Sequence, residues 1–98
     1  MVVGVLRLEL RLEGIANLKE KRSRVSRIMA RVRNTYPVSA AEVGGLDLLQ
    51  SAMIGVCLVS GDEGLIHSLF QRLEDDLECS GLLEIVATDI EILHYGEV

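Results

Sequence analysis

The chain has 98 residues, 49% hydrophobic and 26% charged, with three aromatic residues and a formal net charge of −5. That balance excludes a disordered chain, and the length fits one domain over residues 1–98 whose core closes without metals or disulfides. No run approaches the roughly eighteen apolar residues of a membrane helix, and Arg7, Glu9 and Arg11 interrupt any signal-peptide core, so no membrane partner and a cytoplasmic location are expected.

Residues 2–12 alternate from Leu6 onward, with Leu6, Leu8, Leu10 and Leu12 on one side and Arg7, Glu9 and Arg11 on the other. This period of two predicts a strand. Val3 and Val5 make its start apolar on both faces, as in a central strand. After the turn "EGIAN", Asn17 and Glu20 have the spacing of a capping box. At 100° per residue, Leu18, Val25, Ile28, Met29 and Val32 fall in one arc wide enough to face a core. Tyr36-Pro37 ends this helix, because the residue before proline avoids the α region.

"VSAAEV" (38–43) is a short strand candidate, followed by the link "GGLDLLQ". "SAMIGVCLVS" (51–60) is apolar on both faces and reads as a second central strand, with Gly55 permitting a bulge or a close approach. Ser60 and Glu63 repeat the capping spacing. The helix that follows sets Leu65, Ile66, Leu69, Phe70, Leu73 and Leu77 against His67, Gln71, Glu74, Asp75 and Glu78. Gly81 is placed to terminate it. The last strand is 82–93, and "HYGEV" beyond it is expected to fray.

The order β-α-β-β-α-β predicts an α+β, ferredoxin-like sandwich. Its four-stranded antiparallel sheet has the first and third strands central and both helices on one face. The open face then carries Val5, Arg7, Met53, Gly55 and Cys57. It has no ring on which a base could stack, which argues against RNA recognition by the sheet. An apolar open face suits a protein surface instead. Val3, Val5, Met53 and Cys57 are the candidate self-association face of a homo-oligomer, expected to be a dimer.

Catalytic signals are thin. His67 and His94 are the only histidines, and no serine sits in a G-x-S-x-G elbow. "VSGDEG" (59–64) lacks phosphate-loop spacing, and Asp62 and Glu63 would repel an anion. Cys57 and Cys79 are too few for a disulfide framework and stand apart from any His. No catalytic residue, metal ligand, cofactor or small-molecule substrate is implied.

The first helix is the charged exception. "NLKEKRSRVSRIMARVR" (17–33) holds seven Lys or Arg against one Glu, in an acidic chain. Residues 1–37 carry +6 and residues 38–98 carry −11. Arg24, Arg27 and Arg31 lie at helical spacing outside the apolar arc, and Glu20 has only Arg24 at i+4. Three readings stand open: a solvated helix whose cations pair with acids elsewhere, a patch that tracks RNA phosphates, or a dock for an acidic protein. Lys19, Lys21, Arg22, Arg24, Arg27 and Arg31 are the candidate phosphate contacts.

"LKEKR" (18–22), "VSAAEV" (38–43), "DLLQSA" (47–52) and "IGVCLVS" (54–60), taken in series, resemble the YlxP-like family of small bacterial proteins. The resemblance spans nearly the whole chain and implies a ferredoxin-like fold. Genes of that family often lie among translation-initiation and ribosome-maturation genes, which implies a ribosomal or other RNA partner and no particular activity. The chain departs from the family's D-x-W-Q-R link, with Leu49 in place of Trp and Ser51 in place of Arg. An aromatic anchor and a cation are therefore missing there. The leading expectation is a non-enzymatic RNA- or ribosome-associated module. The alternative is a protein-interaction module that uses the open sheet face and binds no RNA.

Overall fold

A computed structural model of the chain describes residues 1–96. The alternation of the first segment forms β1, Val2–Arg11, with Leu6, Leu8 and Leu10 fully buried while Arg7, Glu9 and Arg11 are exposed. Chain order continues with α1 (Leu18–Thr35), β2 (Ser39–Gly44), β3 (Ser51–Ser60), α2 (Glu63–Cys79) and β4 (Glu84–His94). The sheet order is β2-β3-β1-β4 and every pairing is antiparallel. This is the expected ferredoxin-like arrangement, with the two strands that are apolar on both faces at its centre.

The core is one cluster between the sheet and the helices. It joins Val2, Leu6, Leu8 and Leu10 of β1 and Ala52, Ile54, Val56 and Leu58 of β3 to Val25, Ile28, Met29 and Val32 of α1 and to Ile66, Leu69, Phe70, Leu73 and Leu77 of α2. Gly4 sets how close α2 can come. A Cβ on Gly4 would lie 2.3 Å from Ile66 Cγ2 and 3.1 Å from the Phe70 ring. The missing side chain lets the helix sit directly on β1.

Several local expectations are corrected. Leu18 and Leu65, assigned to apolar arcs, are 42% and 48% exposed: Leu18 is the first residue of α1, and Leu65 stands 100° around α2 from the fully buried Ile66. Asn17 does cap α1, its Oδ1 accepting from the Glu20 amide at 2.9 Å, but the Glu20 carboxylate returns to the Ala16 amide at 2.8 Å. Asp62, and not Ser60, caps α2, accepting from the Gly64 amide, while the Ser60 hydroxyl accepts from Asp62 N–H. Gly81 follows the C-cap residue Ser80 with φ +76°, as a helix terminator does.

β4 begins two residues later than expected, after Leu82 and Leu83, and runs one residue further. Its register shifts opposite Glu9 and Leu10, leaving Val86 as the extra residue of a bulge. His94 and Tyr95 do not fray: Tyr95 N–H donates to the Met1 carbonyl at 2.8 Å, and the Met1 amino group donates to the Tyr95 carbonyl at 3.0 Å. The final two residues of "HYGEV" lie outside the described residues.

Candidate binding surfaces

α1 lies over the β2 side of the sheet and α2 over β1, β3 and β4. Burying Val25, Ile28, Met29 and Val32 fixes the rotation of α1, and that rotation sorts its cations into three groups. Lys21 faces inward. Its side chain is 3% exposed, its ammonium donates to the Gly45 and Leu46 carbonyls, and it stands 3.4 Å from Glu42 Oε2. Lys21 is therefore withdrawn as a phosphate contact. It is a tie between α1 and the β2–β3 link, and it supplies the counter-charge for a Glu42 oxygen that has no hydrogen-bond partner. A signal was present in the sequence: at 100° per residue Lys21 falls between Ile28 and Val32, inside the apolar arc.

A second group is committed within the fold. Arg24 is half-buried, and its guanidinium donates to the Leu82 carbonyl at 3.0 Å and the Glu13 carbonyl at 3.2 Å. Arg31 donates through Nε to Asp76 Oδ1 at 2.9 Å, a charge-assisted link between the helices. Tyr36 OH donates to the other Asp76 oxygen at 3.2 Å. Partial burial of the phenol, together with the neighbouring Asp76 carboxylate, raises its pKa above the ordinary tyrosine value. Arg33, at the end of the helix, donates to the Ala40 carbonyl. The Arg24–Arg27–Arg31 ridge does not stand free as a unit, and the expected Glu20–Arg24 pair gives way to these contacts. Asp76 and Tyr36 escaped sequence reasoning because their roles depend on α1 meeting α2.

Lys19, Arg22 and Arg27 form the third group. All three are exposed, and none has a hydrogen-bond or ion-pair partner among the described residues. Lys19 and Arg27 border a groove of about 460 Å³ between α1 and the preceding turn, whose walls include Gly14, Ile15, Ser23 and Arg24. On the far side of Arg24 a second hollow of about 340 Å³ reaches Arg11, Glu13 and Glu84. Neither is lined by an aromatic side chain.

The open sheet face follows from the register. Opposite Val3, Val5, Arg7 and Glu9 of β1 lie Val59, Cys57, Gly55 and Met53 of β3 and Leu93, Glu91, Asp89 and Ala87 of β4. Apolar groups fill the β2–β3 side, where a trough of about 360 Å³ is lined by Val5, Ala41, Val43, Gly55 and Cys57. The trough exists because Gly55 has no side chain; a Cβ there would come within 3.0 Å of Val43 Cγ1. Val43 and Val59 are 56% and 61% exposed. Charges of both signs occupy the β1–β4 side, where Arg7 stands 3.9 Å from Asp89 and Arg11 stands 3.3 Å from Glu84.

Other chemical groups converge weakly. His67 Nε2 and His94 Nε2 each lie 3.9 Å from Glu63 Oε1. Among the described residues no group of three or more His, Cys, Asp and Glu is arranged to hold a metal ion. Cys57 and Cys79 are both exposed free thiols. No helix among the described residues is long and apolar enough to cross a membrane.

Similarity to known proteins agrees with this architecture. Two solved structures are similar over nearly the full chain. The cofactor-independent oxygenase SnoaB of Streptomyces nogalater gives a TM-score of 0.54 at 13% identity, covering 99% of this chain and 95% of its own. The de novo designed protein Foldit4 gives 0.50 at 16% identity, covering 95% and 96%. At such identities the likeness is one of fold alone. In sequence, the chain is 32% identical over 72 residues to the uncharacterized protein YlxP of Bacillus subtilis (strain 168), covering 74% of this chain and 78% of that protein. Residues 3–90 match the family model described as protein of unknown function, DUF503. With most of its length matched by that model and by YlxP, the chain belongs to the DUF503 family and is YlxP-like.

Proposed function

We propose that the chain is a non-enzymatic RNA- or ribosome-associated module that holds a phosphate backbone on the solvent side of α1. The carrying observation is that Lys19, Arg22 and Arg27 are exposed cations without partners in the fold, two of them bordering the 460 Å³ groove. Such groups on a helix, with no stacking aromatic beside them, position a backbone and do not read bases. Binding is then weakly selective for sequence and strongly dependent on salt.

Fluorescence anisotropy of a labelled single-stranded RNA at several salt concentrations tests this reading. Three phosphate contacts give a log–log salt slope of about −2. Replacing Lys19, Arg22 and Arg27 together by Gln flattens the slope towards zero and leaves the fold intact, because all three are exposed and none makes a hydrogen bond or ion pair among the described residues. Unchanged affinity and slope in that variant would sink the proposal.

A second reading is favoured by the apolar trough on the other side of the sheet. In it the chain is a protein-interaction module that uses Val5, Met53 and Cys57 and holds no RNA. Full retention of ribosome co-sedimentation by the triple Gln variant would point to it.

A further inference from the structure

The open sheet face carries Val5, Met53 and Cys57, which lie on the side away from the helices. Among the described residues no segment of the chain crosses it, since β4 leads only to Tyr95, which pairs with Met1 at the sheet's end. Three strands of about ten residues and one of six, spaced about 4.8 Å apart, present a flat footprint of roughly 550 Å². Accessible area exceeds its flat projection, so the face approaches the roughly 800 Å² per partner of a standard protein interface. An extended peptide would cover only one strip of it. A second sheet would cover several strands at once.

The arrangement of charge and shape selects that surface. Arg7 and Glu9 are consecutive open-face residues of β1, with opposite charge and exposed side chains. Their β3 partners are Gly55, at the floor of the trough, and Met53, the bulky apolar residue beside it. Rotating a second copy by 180° about an axis that crosses the strands between these two rows has two consequences. Arg7 of each copy meets Glu9 of the other, and Met53 of each copy meets the trough over Gly55 of the other. Relief on β3 and charge on β1 are complementary under the same operation, while on β4 Glu91 of each copy comes over Glu84 of the other and Arg7 keeps Asp89 of its own chain 3.9 Å away. Each contact occurs twice, as an isologous interface requires.

We propose that the open face binds a second copy of this chain in that register. Sheet then packs on sheet with all four helices outside. Val5 and Cys57 wall the trough that receives Met53, and Val3 lies at the rim of the overlap. The two α1 helices point away from each other, so self-association and phosphate binding use opposite sides of the molecule. The inference does not depend on the RNA reading.

Sedimentation equilibrium over a wide range of protein concentration tests it. Wild-type protein is expected at twice the 10.8 kDa chain mass. Arg7→Glu and Glu9→Arg each place like charges face to face twice, and each is expected to weaken association about tenfold or more. The double variant Arg7→Glu/Glu9→Arg restores both pairs and should recover association to within about threefold of wild type. Met53→Glu, which changes no β1 charge, should also give monomer, with circular dichroism and amide exchange verifying the fold in every case. A wild-type chain that stays at 10.8 kDa at all concentrations overturns the proposal. So does a double variant that associates no better than the single ones.

Discussion

Lys21 shows how a residue's charge and its role separate. As one of seven cations in a basic helix it resembles its neighbours, yet its ammonium is held by two carbonyls and the Glu42 carboxylate. Truncating it leaves Glu42 without its counter-charge and the link carbonyls without their donor. Lys21→Ala should therefore cost about 2–4 kcal/mol, slightly below the usual cost of a broken buried pair because Glu42 is partly exposed. The double variant Lys21→Met/Glu42→Gln should recover part of that loss in urea unfolding, which a double-mutant cycle would quantify. Tyr36 supplies a pH-dependent counterpart. Its phenol pKa is raised by burial and by Asp76, so the protonated phenol is favoured in the folded state. The stability it contributes is fully present below the unfolded value near 10. It is lost as pH rises through the higher folded value. Unfolding at pH 8 and pH 11 should show a steeper alkaline loss for wild type than for Tyr36→Phe.

At the scale of elements, the packing of α2 on β1 rests on an absence. Gly4→Ala would force its new methyl onto Ile66 Cγ2, which must move for the helix to stay. The expected cost is about 1–3 kcal/mol, the range for overpacking a filled core. The α2 cap offers a sharper discrimination. Asp62→Ala should destabilise by about 1 kcal/mol, because Asp62 accepts from the Gly64 amide. Ser60→Ala should cost less, since its hydroxyl supports only the turn that leads into the cap. Thermal unfolding of the two variants compares them directly. Arg31 and Tyr36 meet on Asp76 of α2, and Arg24 holds the Glu13 and Leu82 carbonyls, so Arg24 and Arg31 are poor sites for testing phosphate binding: their removal disturbs the fold as well.

The whole molecule is polarised. Residues 1–37 carry +6 and residues 38–98 carry −11. An approaching polyanion meets a cationic helix on a chain that repels it elsewhere, and screening at about 0.15 M salt confines both effects to roughly 8 Å. Neutralising Glu74, Asp75 and Glu78 of α2 should thus strengthen RNA binding modestly without adding sequence selectivity, as anisotropy with two unrelated oligonucleotides would show. If two copies pack sheet to sheet, their α1 helices form a bivalent pair. A monomeric Met53→Glu variant should then match wild type on a short oligonucleotide and bind a long RNA more weakly.

The sequence by itself determined the order of elements, the central pair of strands and most of the core, because period two and period 3.6 are imposed locally by backbone geometry. It also marked α1 as the basic element and, through four motifs in series, the family. Which cations of α1 remain free was decided only by the tertiary structure. Arg24 finds its carbonyls at Glu13 and Leu82, and Arg31 finds Asp76 in α2, 45 residues away. The trough at Gly55 likewise needs Val43 from the neighbouring strand to give it a wall. The physical reason is common to these cases. A helix or strand pattern fixes which way a side chain points, but its partner is supplied by whichever distant segment the fold brings there.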